Sequence, residues 1–458
     1  MQGAAGAGKT TTLRVIREGA ELGGYAVEGF APTSRAARQL REANISADTL
    51  QGFLARGSNF QTAGDPDRKH LYILDESSLA STKQMRDFME KIGPLDRVLL
   101  VGDIRQHQGV DAGKPFEQLQ QAGMPTVQLD QIVRQKDPEL LKAVECLSKN
   151  ETAAAIALLD QQGRILEITD PQMRYSAIAK SYAANPHGTL IVSPDNVSRL
   201  DINQAVRAEL QSVGTVDHIE HTIRVLTPRS DMTGADRAWA AHYNVQDIIY
   251  YQRGSRELGI EPKTYAQVIA VHPKENLLTV ERQTGEQVTY DPSRLRGINA
   301  YREIERAFAV GDRLQFTAPN KHLQVANRDL GIIEHIGSDG RVTVRMDNDK
   351  RVSFSPSEMR HLDHGYAVTS HSAQGLTADR VLINVDTSIH PELINARFAY
   401  VAVSRGSEDV RLFTNDAASM TRMLSQDSGK SSALELRQPS ADRMQKQILP
   451  TPEMALSL

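Results

Sequence analysis

Residues Gly3 to Thr10 read "GAAGAGKT" and match G-x-x-x-x-G-K-[ST] at every fixed position. Gly3, Gly6 and Gly8 let backbone N–H groups turn inward around phosphates, and a helix that starts here adds the positive end of its dipole. Lys9 is placed to reach the β- and γ-phosphates, and Thr10, followed by Thr11, to offer a hydroxyl to Mg²⁺. "LYILDES" supplies a second piece: Asp75, at the tip of an apolar strand, would hold Mg²⁺ and Glu76 would orient and deprotonate the attacking water. In "VLLVGDIRQ" the amide of Gln106 lies just past another strand end, where it could sense a γ-phosphate. Phosphoryl transfer also needs positive charge on the far side of that phosphate. Arg134 in "LDQIVRQ" and Arg405 in "YVAVSRG" are the candidates, and spacing alone selects neither. ATP and Mg²⁺ are therefore the expected cofactors.

Such residues need strands that end at one edge. Up to about residue 135, short apolar strands ("YAVEGFAP", "HLYILDES", "RVLLVGD") alternate with helical stretches, the pattern of a parallel α/β sheet. Ligands collect at the carboxyl ends of such strands. A second α/β pattern begins at "GTLIVSPDN" and resumes after residue 362 with "HGYAVTSHSAQG", "DRVLINVD" and "DVRLFTND". Between them, alternating strands broken by "SDG" and "DND" predict a β-rich insertion over 246–362, one or two small barrels or hairpin sheets. The expected domains are 1–130, then 131–245 with 363–424, the insertion, and a polar tail over 425–458. Only Met1 and Gln2 precede Gly3, so the strand that should carry the loop is expected to be missing, and Met1 to be a start inside a longer protein.

Composition narrows the class without naming it. The chain has 458 residues, 24% of them charged, and a formal net charge of −4, so no global positive field advertises nucleic acid. One cysteine, Cys146, excludes an internal disulfide framework and thiolate zinc sites. No apolar run is long enough to span a membrane, which makes the cytoplasm the default location. Aromatic content of 5% does not favour a groove dominated by base stacking, and the lone Trp239 is expected to pack.

In order along the chain stand "GAAGAGKT", "APTSRAARQL", "SADTLQGFL", "LDES", "GDIRQ", "LDQIVRQ", "VTSHSAQG" and "YVAVSRG". This set resembles the ordered motifs of superfamily 1 helicases, specifically the RecD-like branch that moves 5′→3′, over roughly residues 3 to 415. The resemblance implies two RecA-like P-loop NTPase domains with ATP between them, a β-rich insertion of SH3- or OB-like kind in the second, and single-stranded DNA across their tops. It places Lys9, Thr10, Asp75, Glu76, Gln106, Arg134 and Arg405 on nucleotide-handling positions. Thr33, Ser34, Thr49, Ser370 and His371 fall on or beside strand-contacting positions. Gln374 and Gly375 match the element that couples the ATP site to the DNA track. The residue chemistry agrees, because short hydroxyls suit phosphate oxygens and hold a strand without reading its sequence. Arg35, Arg38 and Arg41 follow on a predicted helix, either as more of that track or as a solvated face.

The stretch from "LTPRSDMTGADRAWAAHY" through "NRDLGIIEHI" looks like the helicase half of conjugative relaxase-helicases of the TraI/TrwC type, the MobF family. That likeness implies an N-terminal relaxase in the full-length protein and conjugative transfer machinery as a partner. The relaxase pattern itself, paired tyrosines with clustered histidines, is absent from this sequence. Two features depart from the RecD-like pattern. The segment "ARGSNFQTAGDPDRK" leaves room only for a small strand-separating hairpin, with Phe60 its aromatic candidate, since Phe53 reads as core. The adenine-reading region would lie before Gly3, so no residue is assigned to it. The alternatives to a DNA helicase are an inactive helicase fold that binds single strands and an RNA helicase of the same superfamily.

Overall fold

The computed structural model describes residues 1–56, 69–109 and 113–426. The chain divides into two compact units, Met1–Leu200 together with Val368 onward, and Asp201–Ala367. The hairpin expected around Phe60 and most of the expected tail lie outside the described residues.

Among the described residues, the first unit carries a four-stranded sheet, a five-stranded sheet and a two-stranded pair. In the first of these, strands β2 (Ala26–Ala31), β3 (Ser46–Thr49), β4 (His70–Leu74) and β5 (Arg97–Leu100) lie in the order β3-β2-β4-β5, every pairing parallel. The hydrogen-bonded pairing continues past the strand tips: Asp75 N–H donates to Phe30 O at 2.8 Å and Ser77 N–H to Val101 O at 2.8 Å. Helix α1 (Lys9–Leu22) and helix α2 (Ser34–Glu42) cover one face, packing Leu13, Ala36, Ala37 and Leu40 with Val27 and Ile73. The other face buries Phe30, Phe53, Tyr72 and Phe88, so Phe53 is core as its place in "LQGFL" suggests. Helix α3 (Leu50–Ala55) contributes Phe53 to that cluster.

The strand expected to be missing is present as a stub, β1 (Gln2–Gly3), paired in parallel with β6 (Gln128–Leu129). Its other edge is bonded too. The Met1 amine donates to Leu100 O at 2.7 Å, and Gly3 N–H donates to Gly102 O at 3.1 Å. Three residues suffice because pairing uses backbone groups alone. The Met1 side chain is buried beside Leu13 and Val27, and burial lowers the amine's pKa.

The second sheet of this unit runs Ala367–Thr369, Thr189–Ser193, Ala378–Val385, Gly406–Thr414, Ile165–Glu167 in spatial order. Its core gathers Val192, Ile383, Leu412, Phe398 and Tyr400, and includes Ala5 of the glycine-rich loop.

The second unit holds two antiparallel sheets. Six strands run Gln287–Tyr290, Leu277–Arg282, Thr264–His272, Ile248–Tyr251, Ile298–Phe308, His221–Pro228, and five run Arg351–Phe354, Val342–Met346, Leu330–Ile336, Arg313–Phe316, Leu362–His364. His221–Pro228 pairs along its whole length with Ile298–Phe308, so the strand-rich segment reaches back before residue 246. A buried carboxylate ties this unit together: Asp312 accepts from Arg207 Nε at 2.9 Å and from the Tyr366 hydroxyl at 2.6 Å. Trp239, expected to pack, is 59% exposed between two short 3₁₀ turns, while the neighbouring Ala240 and Tyr243 enter the core instead.

Candidate active site

The described site lies wholly within the first unit. Gly6 and Gly8 hold φ of +81° and +74°, values that L side chains rarely adopt, and Gly8 opens α1 without any side-chain cap. The first-turn N–H groups of α1 are thus left for an anion. Lys9 Nζ donates to the carbonyls of Gly3 at 2.9 Å and Ala4 at 3.2 Å, which holds the ammonium over the loop, while Thr10 and Thr11 are exposed at the helix start.

Asp75 and Glu76 sit at the carboxyl end of β4. Asp75 is buried and accepts the Glu76 N–H at 2.8 Å. Burial first, and the neighbouring Glu76 second, push its pKa up to about 7, with the Lys9 ammonium pulling the other way. Glu76 itself stands in a left-handed conformation at φ +49°, which turns it out of the strand direction. Its carboxylate accepts from Gln374 Nε2 at 3.4 Å.

The C-terminal half closes onto this edge. Gln106 is buried, donates to Asp103 at 3.0 Å, and accepts from Arg405 Nη2 at 3.3 Å. Arg405 is buried as well and donates to Val401 O at 2.9 Å; burial lowers its pKa, and Glu76 works against that. Arg134 donates to Ser404 O at 2.8 Å, and burial, then Arg405, bring its pKa down to about 10, so it stays charged. The β-carbon of Arg134 rests against Gly6, where an added Cβ would stand 2.6 Å away. Both arginines that spacing could not separate therefore belong to one cluster with the loop and Gln106.

Sequence reading missed Tyr400 and Asp103. The Tyr400 hydroxyl accepts the Ala5 N–H at 2.6 Å and donates to Asp103 at 2.9 Å. Both residues stand inside quoted motifs, "YVAVSRG" and "VGDIRQ", but only the fold brings them to the loop.

The predicted strand-contacting residues fall into two groups. Thr33 and Thr49 cap α2 and α3, accepting the N–H groups of Ala36 at 3.2 Å and Gly52 at 3.1 Å. Each hydroxyl keeps its own hydrogen to donate, so capping does not preclude a phosphate contact. Ser34 follows as the first residue of α2. Ser370 is buried and bonded to His107 Nε2 at 2.6 Å, while the exposed His371 ring stacks on His107 at 4.0 Å. Arg35 and Gln39, four residues apart on one face of α2, donate to the carbonyls of Ser372 at 3.2 Å and Gly375 at 3.1 Å. Of the three arginines in question, Arg35 thus serves the neighbouring segment.

Family models match two stretches, the AAA domain over residues 1–170 and the UvrD-like helicase C-terminal domain over 364–413. The multifunctional conjugation protein TraI of Escherichia coli is 25% identical over 97% of this chain. These matches support a superfamily 1 helicase of the RecD-like kind, near TraI. The helicase is also 26% identical, over 90% of its length, to the conjugal transfer protein TraA of Agrobacterium fabrum. The ATP-dependent RecD2 DNA helicase of Deinococcus radiodurans is 28% identical over 92% of the chain. The chain spans 28% of the length of the TraI relative and 47% of the RecD2 relative. A solved Pif1 helicase has the same α/β fold, with a TM-score of 0.51 at 18% identity, covering 93% of this helicase and 89% of that chain. Among the described residues, no helix is long and apolar enough to cross a membrane.

Proposed function

We propose that this chain is an ATP-driven motor that moves 5′→3′ along single-stranded DNA and unwinds duplex ahead of it. In this reading it is the helicase portion of a plasmid-transfer relaxase-helicase, acting in the cytoplasm. The observation that carries the proposal is one cluster drawn from distant parts of the chain, in which Arg134 rests on Gly6 of the loop, Arg405 donates to Gln106 and Gln374 donates to Glu76. A surface built only to bind a strand has no need of such a cluster. The relaxase and the transfer machinery enter by likeness to TraI and TraA, and the β-rich unit is taken as the SH3- or OB-like insertion between two RecA-like halves.

The residues fit Mg²⁺ and ATP. A buried carboxylate, Asp75, whose negative charge burial disfavours, and the hydroxyl of Thr10 are hard oxygen donors of the kind Mg²⁺ takes along with phosphate oxygens. The ion would neutralise charge on the transferred phosphoryl group. Gly3, Gly6 and Gly8 shape the cradle, with Thr11 in the first helical turn behind it. Lys9 binds the phosphates, and Glu76, held by Gln374, orients and deprotonates the water. Arg405 and Arg134 bring positive charge to the γ-phosphate, and Gln106 reports its loss. Gln374 and Gly375 pass that report to Ser370, His371, Thr33, Ser34 and Thr49 on the DNA track.

The test is ATP turnover by the full chain with and without single-stranded DNA, then with RNA of the same sequence. Stimulation by DNA that disappears in Glu76→Gln, together with opening of forks that carry a 5′ tail, is the expected result. A folded protein that binds single strands but never turns over ATP would sink the motor reading.

A further inference from the structure

His107 follows Gln106 in the turn after β5, and the proposed cycle gives it no part. It is buried, 8% exposed, and holds two side chains of the segment after residue 369. Its Nε2 bonds Ser370 Oγ at 2.6 Å, and its ring lies 4.0 Å from that of His371 with the planes 9° apart. Arg397 fixes the same turn, donating to the carbonyls of Ile104 at 2.6 Å and Gln106 at 2.8 Å. Gln106 and His107 therefore face different tasks from adjacent positions. One touches Arg405 in the nucleotide cluster, the other touches the two residues proposed for the strand.

We infer that His107 is a positioning residue that sets the Ser370 hydroxyl and the His371 ring for the DNA strand, so that a shift of Gln106 on γ-phosphate loss is delivered to the strand through one peptide bond. The inference rests on the motor reading above. Burial, then His371, Arg405 and Arg397, keep the His107 pKa well below its ordinary value. A neutral ring can donate from Nε2, which leaves the Ser370 hydrogen for a phosphate oxygen. The stack restrains the exposed His371 ring to one plane, which suits a flat contact with a base or a directed bond to phosphate.

The test measures ATP turnover by the full chain against rising oligo-dT for wild type, His107→Leu, His107→Gln, Ser370→Ala and the Leu/Ala double variant. The Leu variant should need at least about tenfold more oligo-dT for half-maximal stimulation, as expected for a lost buried hydrogen bond. Its KM for ATP should move less than about twofold, because no nucleotide contact is removed. The Gln variant, whose amide can reach Ser370 Oγ, should recover part of the loss. The double variant should exceed Ser370→Ala only by the share carried through His371, so the two penalties should be clearly less than additive. An unchanged half-maximal oligo-dT concentration in His107→Leu, or additive penalties in the double variant, overturns the inference. If the Leu variant does not melt cooperatively, His107→Gln with Ser370→Ala gives the same additivity test. Wild-type turnover that ignores oligo-dT sinks the motor reading itself, and this inference with it.

Discussion

The Tyr400 hydroxyl sits between the Ala5 N–H, 2.6 Å away, and the Asp103 carboxylate, 2.9 Å away. It joins the phosphate loop to the turn that carries Gln106 through a side chain from near the C-terminal end of the fold. Both partners of Tyr400 are buried, and removing the oxygen strands the Ala5 N–H, while Asp103 keeps the Gln106 amide. Tyr400→Phe should therefore lower unfolding stability by about 1–3 kcal/mol. It should also raise the KM for ATP, because the loop loses its tether. Urea melts alongside an ATP titration check both effects, and a variant matching wild type in each would remove the tether from the account.

Gly6 and Gly8 share left-handed backbone but not surroundings. An added Cβ at Gly6 meets Arg134 Cβ at 2.6 Å, whereas one at Gly8 meets nothing within 4 Å. Gly8→Ala should carry only backbone strain, on the order of 1–3 kcal/mol. Gly6→Ala should carry that strain and also push Arg134 away from the Ser404 carbonyl. Equilibrium unfolding should therefore rank Gly6→Ala as the less stable of the two. The reverse ranking would mean that the contact with Arg134 yields easily.

Asp75 makes the stability of the nucleotide-free protein depend on pH. Its folded pKa of about 7 lies above the ordinary 3.8, so between those values the folded chain binds more protons than the unfolded one. Stability therefore falls as pH climbs through that window, and the penalty is complete above about 7. Asp75→Asn, which has no such charge to bury, should melt several degrees above wild type at alkaline pH, the gap closing towards pH 4. Adding Mg²⁺ with ATP should raise the wild-type midpoint and leave the variant nearly unmoved. A gap that widens on acidification would contradict the burial of Asp75 as the cause.

What could be read from the sequence were features carried by short stretches of chain. The glycine loop, the acids at the end of "LYILDES" and the helix after Thr33 each depend on neighbours within a few residues, and spacing reports them. The stub at Gln2–Gly3 carries no hydrophobic pattern to read, because a pattern needs several residues while pairing needs only backbone. Choosing between Arg134 and Arg405 was beyond spacing, and the fold uses both. Tyr400 with Ala5, and His107 with Ser370, join residues more than 250 positions apart, and no local pattern encodes such a meeting. Trp239 shows the opposite failure: a large apolar side chain suggested packing, yet it stands exposed while Ala240 and Tyr243 beside it are buried.

The donors from α2, Arg35 and Gln39, grip the segment after Ser370 by the carbonyls of Ser372 and Gly375 rather than by its side chains. A grip on main-chain oxygen is indifferent to which residue carries it. The linkage between α2 and the segment after Ser370 can therefore survive drift at position 372 while Arg35 and Gln39 stay fixed. Chimaeras that exchange the 370–375 segment with a relative should keep it, provided the donors on α2 are left in place.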